Sequence, residues 1–381
     1  MSSDRKHFRQ RCTWPISVAA VTVVFFVLFY AYDNRPFSAD SSVIASYSHV
    51  ELSSSSESSE SRLSDTQHLI PLLYKPFLHS VDAPRFVSDN GDTYELPENP
   101  PRFTQSLGKK ILLLDVDTRP LDGEGGMLSE SIQYETMTPH TAGMLNHYLY
   151  AMVHGYDYKF VRSPSYTDRH QTWVKVPMIR EALKTYDYVV FVDADAVFPH
   201  THLPLEWLFN YWNITEETLV AMALDPNADF NKDQRGNTNL NTGFIIAQAS
   251  PRTTEMFNVW EDCVTDDKFD KCSKWRYEWS HEQAAFSNFM RYEYQRGSEV
   301  IELSCTEANG YPQKAAESGC HGEFVRHFWL GKEFAVDALR DTVSRYMALR
   351  LHDTFHENIN VAMVNATNTT LPLKAGEEVV I

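Results

Sequence analysis

The sequence predicts an α/β fold: a mainly parallel sheet with helices on both faces, behind an N-terminal apolar segment and a polar tether. Three observations carry this. From residue 108 onward, short aliphatic and β-branched runs alternate with segments of helical period. Runs such as "KKILLLDV" (109–116) carry a continuous apolar stretch with no alternation, as expected of strands covered on both faces. One run, "YVVFVDADAVF" (188–198), passes straight from apolar residues into Asp193 and Asp195. In open sheets of this class, ligands sit beyond the carboxyl ends of the strands.

Taken in order, residues 1–15 read as a short basic tail, with Arg5, Lys6, Arg9 and Arg11. Ile16 to Tyr32 carry no charge. At about 1.5 Å per residue this run spans roughly 26 Å, close to the core of a thin early-secretory membrane. The next segment, Asp33 to Asp65, is acidic, with Arg35 and Arg62 its only basic residues. Basic before and acidic after, 16–32 is expected to be a signal-anchor with its N-terminus in the cytosol and the body lumenal. A cleaved signal peptide is the rival. The run is long for one, and no small-x-small site follows in "FYAYDNRPF". Residues 33–105, Ser-rich and then punctuated by Pro71, Pro76, Pro84, Pro97, Pro100 and Pro101, are expected to form an extended stem. A catalytic domain over 106–350 and a C-terminal extension over 351–381 complete the division.

Within the body, strands are expected at 109–116, 156–162, 188–192, 218–224 and 242–248. Helices are expected at 138–154, 172–185, 252–264, 281–292 and 333–349. The net charge of −17 argues against a nucleic-acid binder, which would show a basic face. Cys263, Cys272, Cys305 and Cys320 allow three pairings. Local closure favours 263–272 and 305–320, and the spacings do not suit zinc. Asn213, Asn365 and Asn368 head Asn-x-Thr triplets, glycosylation acceptors if the body is lumenal.

Side chains at i and i+2 of an extended chain point the same way. Asp193 and Asp195 can therefore face one point, with Ala194 leaving room between them. A divalent cation there would cancel their repulsion. Solvated loop acids or helix caps would look the same over three residues, but the buried strand in front argues for the cation.

At this point the sequence resembles a family. Trp173-x-Lys175-x-Pro177 followed by "YDYVVFVDADAVF" is similar to metal-dependent glycosyltransferases of the GT-A type, with a Rossmann-like sheet. The nearest resemblance is to the retaining α-galactosyl, α-mannosyl and xylosyl transferases of Golgi type II proteins, glycosyltransferase family 34. "HYLYAMVHGYDYKF" (147–160), "LNTGFII" (240–246) and "EFVRHFWLGK" (323–332) carry it further, over roughly residues 108–335. The chain departs from the family in two places. Gly331 stands four residues after His327 instead of three, though Lys332 keeps its spacing. His281-Glu282-Gln283 replaces the usual acidic pair before a catalytic Gln.

The resemblance implies a nucleotide-diphosphate sugar as donor, a glycan or glycoprotein as acceptor, and Mn²⁺ or Mg²⁺ as cofactor. It implies a Golgi membrane location, with room for a complex with other glycosyltransferases. Asp193, Asp195 and His327 become the expected metal ligands; an imidazole beside carboxylates tilts the choice to Mn²⁺. Lys175, Asp193, Asn241, Gly243, Gly331 and Lys332 become donor-binding residues. Lys332 would hold a phosphate, Asn241 would read hydroxyls and Gly243 would let backbone approach the sugar. Gln283 and Glu282 become the residues facing the anomeric carbon; Gln is a poor nucleophile, whereas Glu282 could attack. Each also has an ordinary reading: a core histidine, a turn before a strand, an acid at a helix start.

Two other functions compete. "ILLLDVDTRP" (111–120) fits the strand and Asp-x-Asp of haloacid-dehalogenase phosphatases, with Asp115 as nucleophile and Asp117 as acid. It lacks their following Gly-Thr and leaves Asp193, Asp195 and His327 without a role. A glycan-binding relative that has lost catalysis is the non-enzyme reading.

Overall fold

The computed structural model describes residues 59–97 and 100–363, with side chains from 65 onward. In chain order, helix α1 (Ser59–Tyr74) leads to an antiparallel hairpin of β1 (Arg85–Val87) and β2 (Thr93–Glu95). Then come β3 (Ile111–Asp117), α2 (Pro139–His154), β4 (Asp157–Arg162), α3 (Lys175–Ala182), β5 (Tyr188–Val192) and β6 (Ala196–Val197). The second half runs α4 (Leu205–Tyr211), β7 (Val220–Leu224), β8 (Leu240–Gln248), α5 (Pro251–Asp262) and α6 (Glu282–Ala285). It ends with β9 (Val300–Leu303), β10 (Arg326–His327) and the long helix α7 (Phe334–Glu357).

Six strands form one sheet in the order β4-β3-β5-β8-β7-β9. Strand β3 pairs in parallel with β4 and β5, and β7 with β9. Only β8 runs against its neighbours. The sheet is therefore mainly parallel, as expected. Alternate residues feed opposite faces. Leu113, Val190, Val192, Phe244 and Ala221 pack with Tyr150 of α2 and Trp207 of α4 on one side. Leu112, Leu114, Val189, Phe191 and Ile245 pack with Ile179 of α3 and Trp260 of α5 on the other. Complete burial on both faces explains why these strands read as unbroken apolar runs.

Helix α2 begins and ends where its sequence says. The Thr138 hydroxyl accepts from Thr141 N, Pro139 takes the first turn, and Gly155 closes the helix at φ +75°. The expected helix at 281–292 is less regular: α6 passes through a π-turn (Phe286–Met290) before Arg291–Glu293. The other expected strands and helices are present within a few residues, except that α7, expected to end at 349, runs on to Glu357; β1, β2, β6, β9, β10, α1 and α4 had no expectation. The favoured disulfides, Cys263–Cys272 and Cys305–Cys320, are both formed.

The stem reading of 33–105 needs correction over its second half. Tyr74, Phe86 and Phe103 are buried. Phe86 sits among the rings of His79, Tyr94, His200, Trp207 and Phe324. Six prolines suggested an open tether, but only a few aromatic anchors are needed to bind such a segment to a body. The division at 350/351 also falls inside α7, whose Tyr346 packs on Tyr74. The tail (1–15), the apolar run (16–32), the first part of the stem, Asn365 and Asn368 lie outside the described residues. Among the described residues, no helix is long and apolar enough to cross a membrane. If the aromatic packing of 74–103 belongs to the body, Phe86→Ala should cost about 3–5 kcal/mol, measured by the denaturant midpoint. A loose stem would leave the midpoint unchanged.

Candidate active site

Three parallel strands deliver an acid at their carboxyl ends: Asp117 from β3, Asp193 just after β5, and Asp225 just after β7. Antiparallel β8 begins at the same edge, bringing Asn241, Thr242 and Gly243 alongside. The Asp193 amide donates to Gly243 O at 2.7 Å. Directly after the aspartate pair, β6 receives β10, with His327 opposite Ala196. The turn is buttressed from below by α2. Gly143 lies so close that a Cβ there would stand 2.1 Å from Ala194 O. One turn later, His147 Nε2 donates to Ala196 O at 2.9 Å.

Asp193, Asp195 and His327 each present a ligand atom, all within 4.8 Å of one another. His327 Nε2 lies 3.4 Å from Asp195 Oδ1 and 3.9 Å from Asp193 Oδ2. Ligands about 2.1 Å from one ion stand roughly 3 Å apart, so modest closure would seat a cation. Two carboxylates and an imidazole suit Mn²⁺ or Mg²⁺ chemically.

Lysines balance the carboxylates. Lys175, only 4% exposed, donates to Asp193 Oδ1 at 3.0 Å and to Thr242 O at 3.2 Å. It also stands 3.4 Å from Glu282 Oε1. Burial alone would lower its pKa, but Asp193 and Glu282 hold it above the ordinary value. Lys332 pairs with Asp195 from a side chain about half exposed. Burial would raise the Asp195 pKa; His327 and Lys332 overcome this and hold it far below the usual range. Burial opposes charge on His327 too, and Asp195 reverses that, raising its pKa.

Several expected site residues have other partners. Glu282 is almost fully buried, and both carboxylate oxygens are engaged: Oε1 accepts from Thr242 Oγ1 at 2.9 Å, Oε2 from Thr172 Oγ1. This corrects the reading of Glu282 as an attacking group. Asn241 turns inward, donating to Asp225 Oδ1 at 2.8 Å and accepting from Gly243 N at 2.8 Å. These bonds use one N–H and one lone pair of its amide and fix it against Asp225. Gly243 makes room for the His327 ring: a Cβ there would lie 2.2 Å from Cε1. Gly331, at φ +91°, forms the turn into α7, its carbonyl accepting from Phe334 N. Asn213 is exposed at the turn after α4.

Asp115 is unsuited to nucleophilic attack. It is buried, with His147 Nδ1 donating at 2.9 Å and Tyr158 OH at 2.7 Å. Asp117 is held by the Arg119 backbone and guanidinium. The phosphatase reading therefore fails on access.

Gln283 is among the residues brought together. Its Nε2 donates to Asp225 Oδ2 at 2.6 Å and its Oε1 accepts from Thr242 N at 3.2 Å. Asp225 and Asn309 were missed in the sequence. Asp225 follows "VAMAL" as Asp193 follows "YVVFV", so the same strand-then-acid pattern could have found it. Asn309 stands in irregular chain between Cys305 and Cys320, with no periodic signal. Asp225 accepts from Asn241, Asn309 and Gln283. Its burial raises the pKa beyond what these donors recover.

The profile of the galactosyl transferase GMA12/MNN10 family matches residues 133–335, which hold the aspartate pair, Gln283 and His327. The chain belongs to this family. It is thus a glycosyltransferase-family protein, in agreement with the resemblance to glycosyltransferase family 34. No curated protein matches the chain. Among solved structures it is similar to a glycosyltransferase involved in the glycosylation of the major capsid of PBCV-1. That match has 12% identity and a TM-score of 0.44, over 60% of this chain and 98% of that one. It is also similar to mouse xyloside xylosyltransferase 1 in its apo form, at 11% identity and a TM-score of 0.32, over 57% and 96%.

Removing Lys175 leaves buried Glu282 and partly exposed Asp193 facing each other without a cation. Lys175→Ala should cost about 3–5 kcal/mol, read by chemical unfolding. A change under 1 kcal/mol would show that Lys175 does not hold this edge together.

Proposed function

We propose that this chain transfers a hexose, galactose or mannose, from a nucleotide-diphosphate sugar to a glycan or glycoprotein acceptor. The reaction is divalent-cation dependent, with Mn²⁺ ahead of Mg²⁺, and retains the anomeric configuration. In this reading the fold is of the GT-A type. The enzyme is a type II Golgi membrane protein anchored through 16–32, its body lumenal.

The observation that carries the reading is the Asp193, Asp195 and His327 cluster at the carboxyl ends of the strands, with Lys332 beside it. The bond to the sugar breaks as its diphosphate leaves with multiple negative charges. A bound divalent cation would stabilise that charge, a contribution of several kcal/mol. The chain's own residues supply the rest. Lys332 is exposed enough to exchange Asp195 for a phosphate oxygen. Lys175 stays with Asp193 and keeps its carboxylate aimed at the site.

Retention needs a nucleophile on the β-face or attack from the front with the departing phosphate as base. Glu282 is fully engaged, and Gln283 cannot form a good glycosyl intermediate. Both favour front-face attack, with Gln283 orienting groups at the anomeric centre.

The test is release of nucleoside diphosphate from a panel of nucleotide sugars with Mn²⁺ and acceptor glycans. Turnover with one donor, reduced at least about 100-fold by chelator and by Asp195→Asn, is expected. Acceptor binding without turnover of any donor would favour the inactive glycan-binding relative. Turnover indifferent to Asp195→Asn would contradict the assignment of the site.

A further inference from the structure

The two nitrogens of His327 face different groups. Nε2 points at Asp195 and Asp193, and Nδ1 lies 3.2 Å from Asn309 Oδ1. Which nitrogen holds a proton follows from the way the Asn309 amide is turned. Two neighbours settle that. Trp329 Nε1, which can only donate, lies 3.0 Å from Asn309 Oδ1. The Leu224 carbonyl, which can only accept, lies 3.0 Å from Asn309 Nδ2. Asp225 Oδ1 is a second acceptor at 3.3 Å on the same nitrogen.

Turning the amide over would set N–H against N–H at Trp329 and oxygen against oxygen at Leu224. The oxygen must therefore face the histidine, and Nδ1 must carry the hydrogen. Nε2 is then the nitrogen whose lone pair is available for a cation. The ring cannot swing away, because Gly243 and the β6–β10 pairing confine it. The His327 amide also donates to Gly310 O at 2.9 Å, next to Asn309 in the segment closed by Cys305–Cys320.

We propose that Asn309 is a positioning residue for the cation site: it fixes the His327 tautomer and so presents Nε2 as a ligand. This rests on the reading of Asp193, Asp195 and His327 as that site. Through Asp225, Asn309 is also joined to Gln283, so one hydrogen-bonded chain runs from the metal ligand to the residue at the reacting centre.

The test is Mn²⁺ affinity of the metal-free protein without donor, from the free-Mn²⁺ paramagnetic resonance signal. Asn309→Leu removes the acceptor and should weaken binding about 10- to 100-fold, as loss of such partners does elsewhere. Asn309→Asp keeps an acceptor toward Nδ1 while losing the donors to Leu224 and Asp225. It should bind at least as tightly as the unaltered protein. A purely structural role would weaken both variants alike, and that result overturns the proposal, as does a folded Asn309→Leu protein with unchanged affinity. If Asn309→Leu does not fold, Asn309→Ala is read in its place: weakened Mn²⁺ binding by the folded protein supports the proposal and unchanged affinity overturns it. Asp195→Asn separates the two levels. If it binds Mn²⁺ normally, the site reading itself fails. If it does not bind, the comparison at Asn309 stands on its own.

Discussion

The structure turns on the repulsion between Asp193 and Asp195. Two carboxylates at the end of a buried strand are costly unless positive charge is held against them. This chain answers with Lys175 on Asp193, Lys332 on Asp195 and His327 beside both. Lys175 is buried and shared with Glu282 and the Thr242 carbonyl, so it belongs to the frame. Lys332 is half exposed and its ion pair is with Asp195, so it can be exchanged for a ligand.

That division explains how much of the fold serves one edge. Parallel strands place their acids together, and β8, running the other way, supplies Asn241, Thr242 and Gly243 to the same rim. Helix α2 comes close enough at Gly143 to support the turn between the aspartates, and His147 ties that turn to Asp115. The acid that sequence alone offers as a phosphatase nucleophile is thus part of the foundation beneath the candidate site. Glu282, which resembles a nucleophile in the linear sequence, is a counter-ion and hydrogen-bond acceptor behind it.

The sheet and the aspartate pair were legible because burial on both faces leaves an apolar run, and any charge at its end stands out. His327 and Lys332 were legible through their spacing in a family resemblance, not through local chemistry. The partners of Asn241 and Gly243 were not legible, since they depend on where β10 and the 305–320 segment return in space. The aromatic anchors of 74–103 were hidden by proline-rich punctuation, because a segment without regular structure can still bury rings. Asn309 had no pattern at all. Its importance is set by a tryptophan, a carbonyl and a histidine that meet only in the fold.

The central claim is that one divalent cation is held by Asp193, Asp195 and Nε2 of His327. The most direct measurement is pulsed paramagnetic resonance on Mn²⁺ bound to the protein, comparing unlabelled protein with protein carrying ¹⁵N-histidine. The account predicts one bound Mn²⁺ with nitrogen coupling from a single imidazole that responds to the label and vanishes in His327→Ala. Mn²⁺ bound without histidine nitrogen, or coupling that survives His327→Ala, would contradict it.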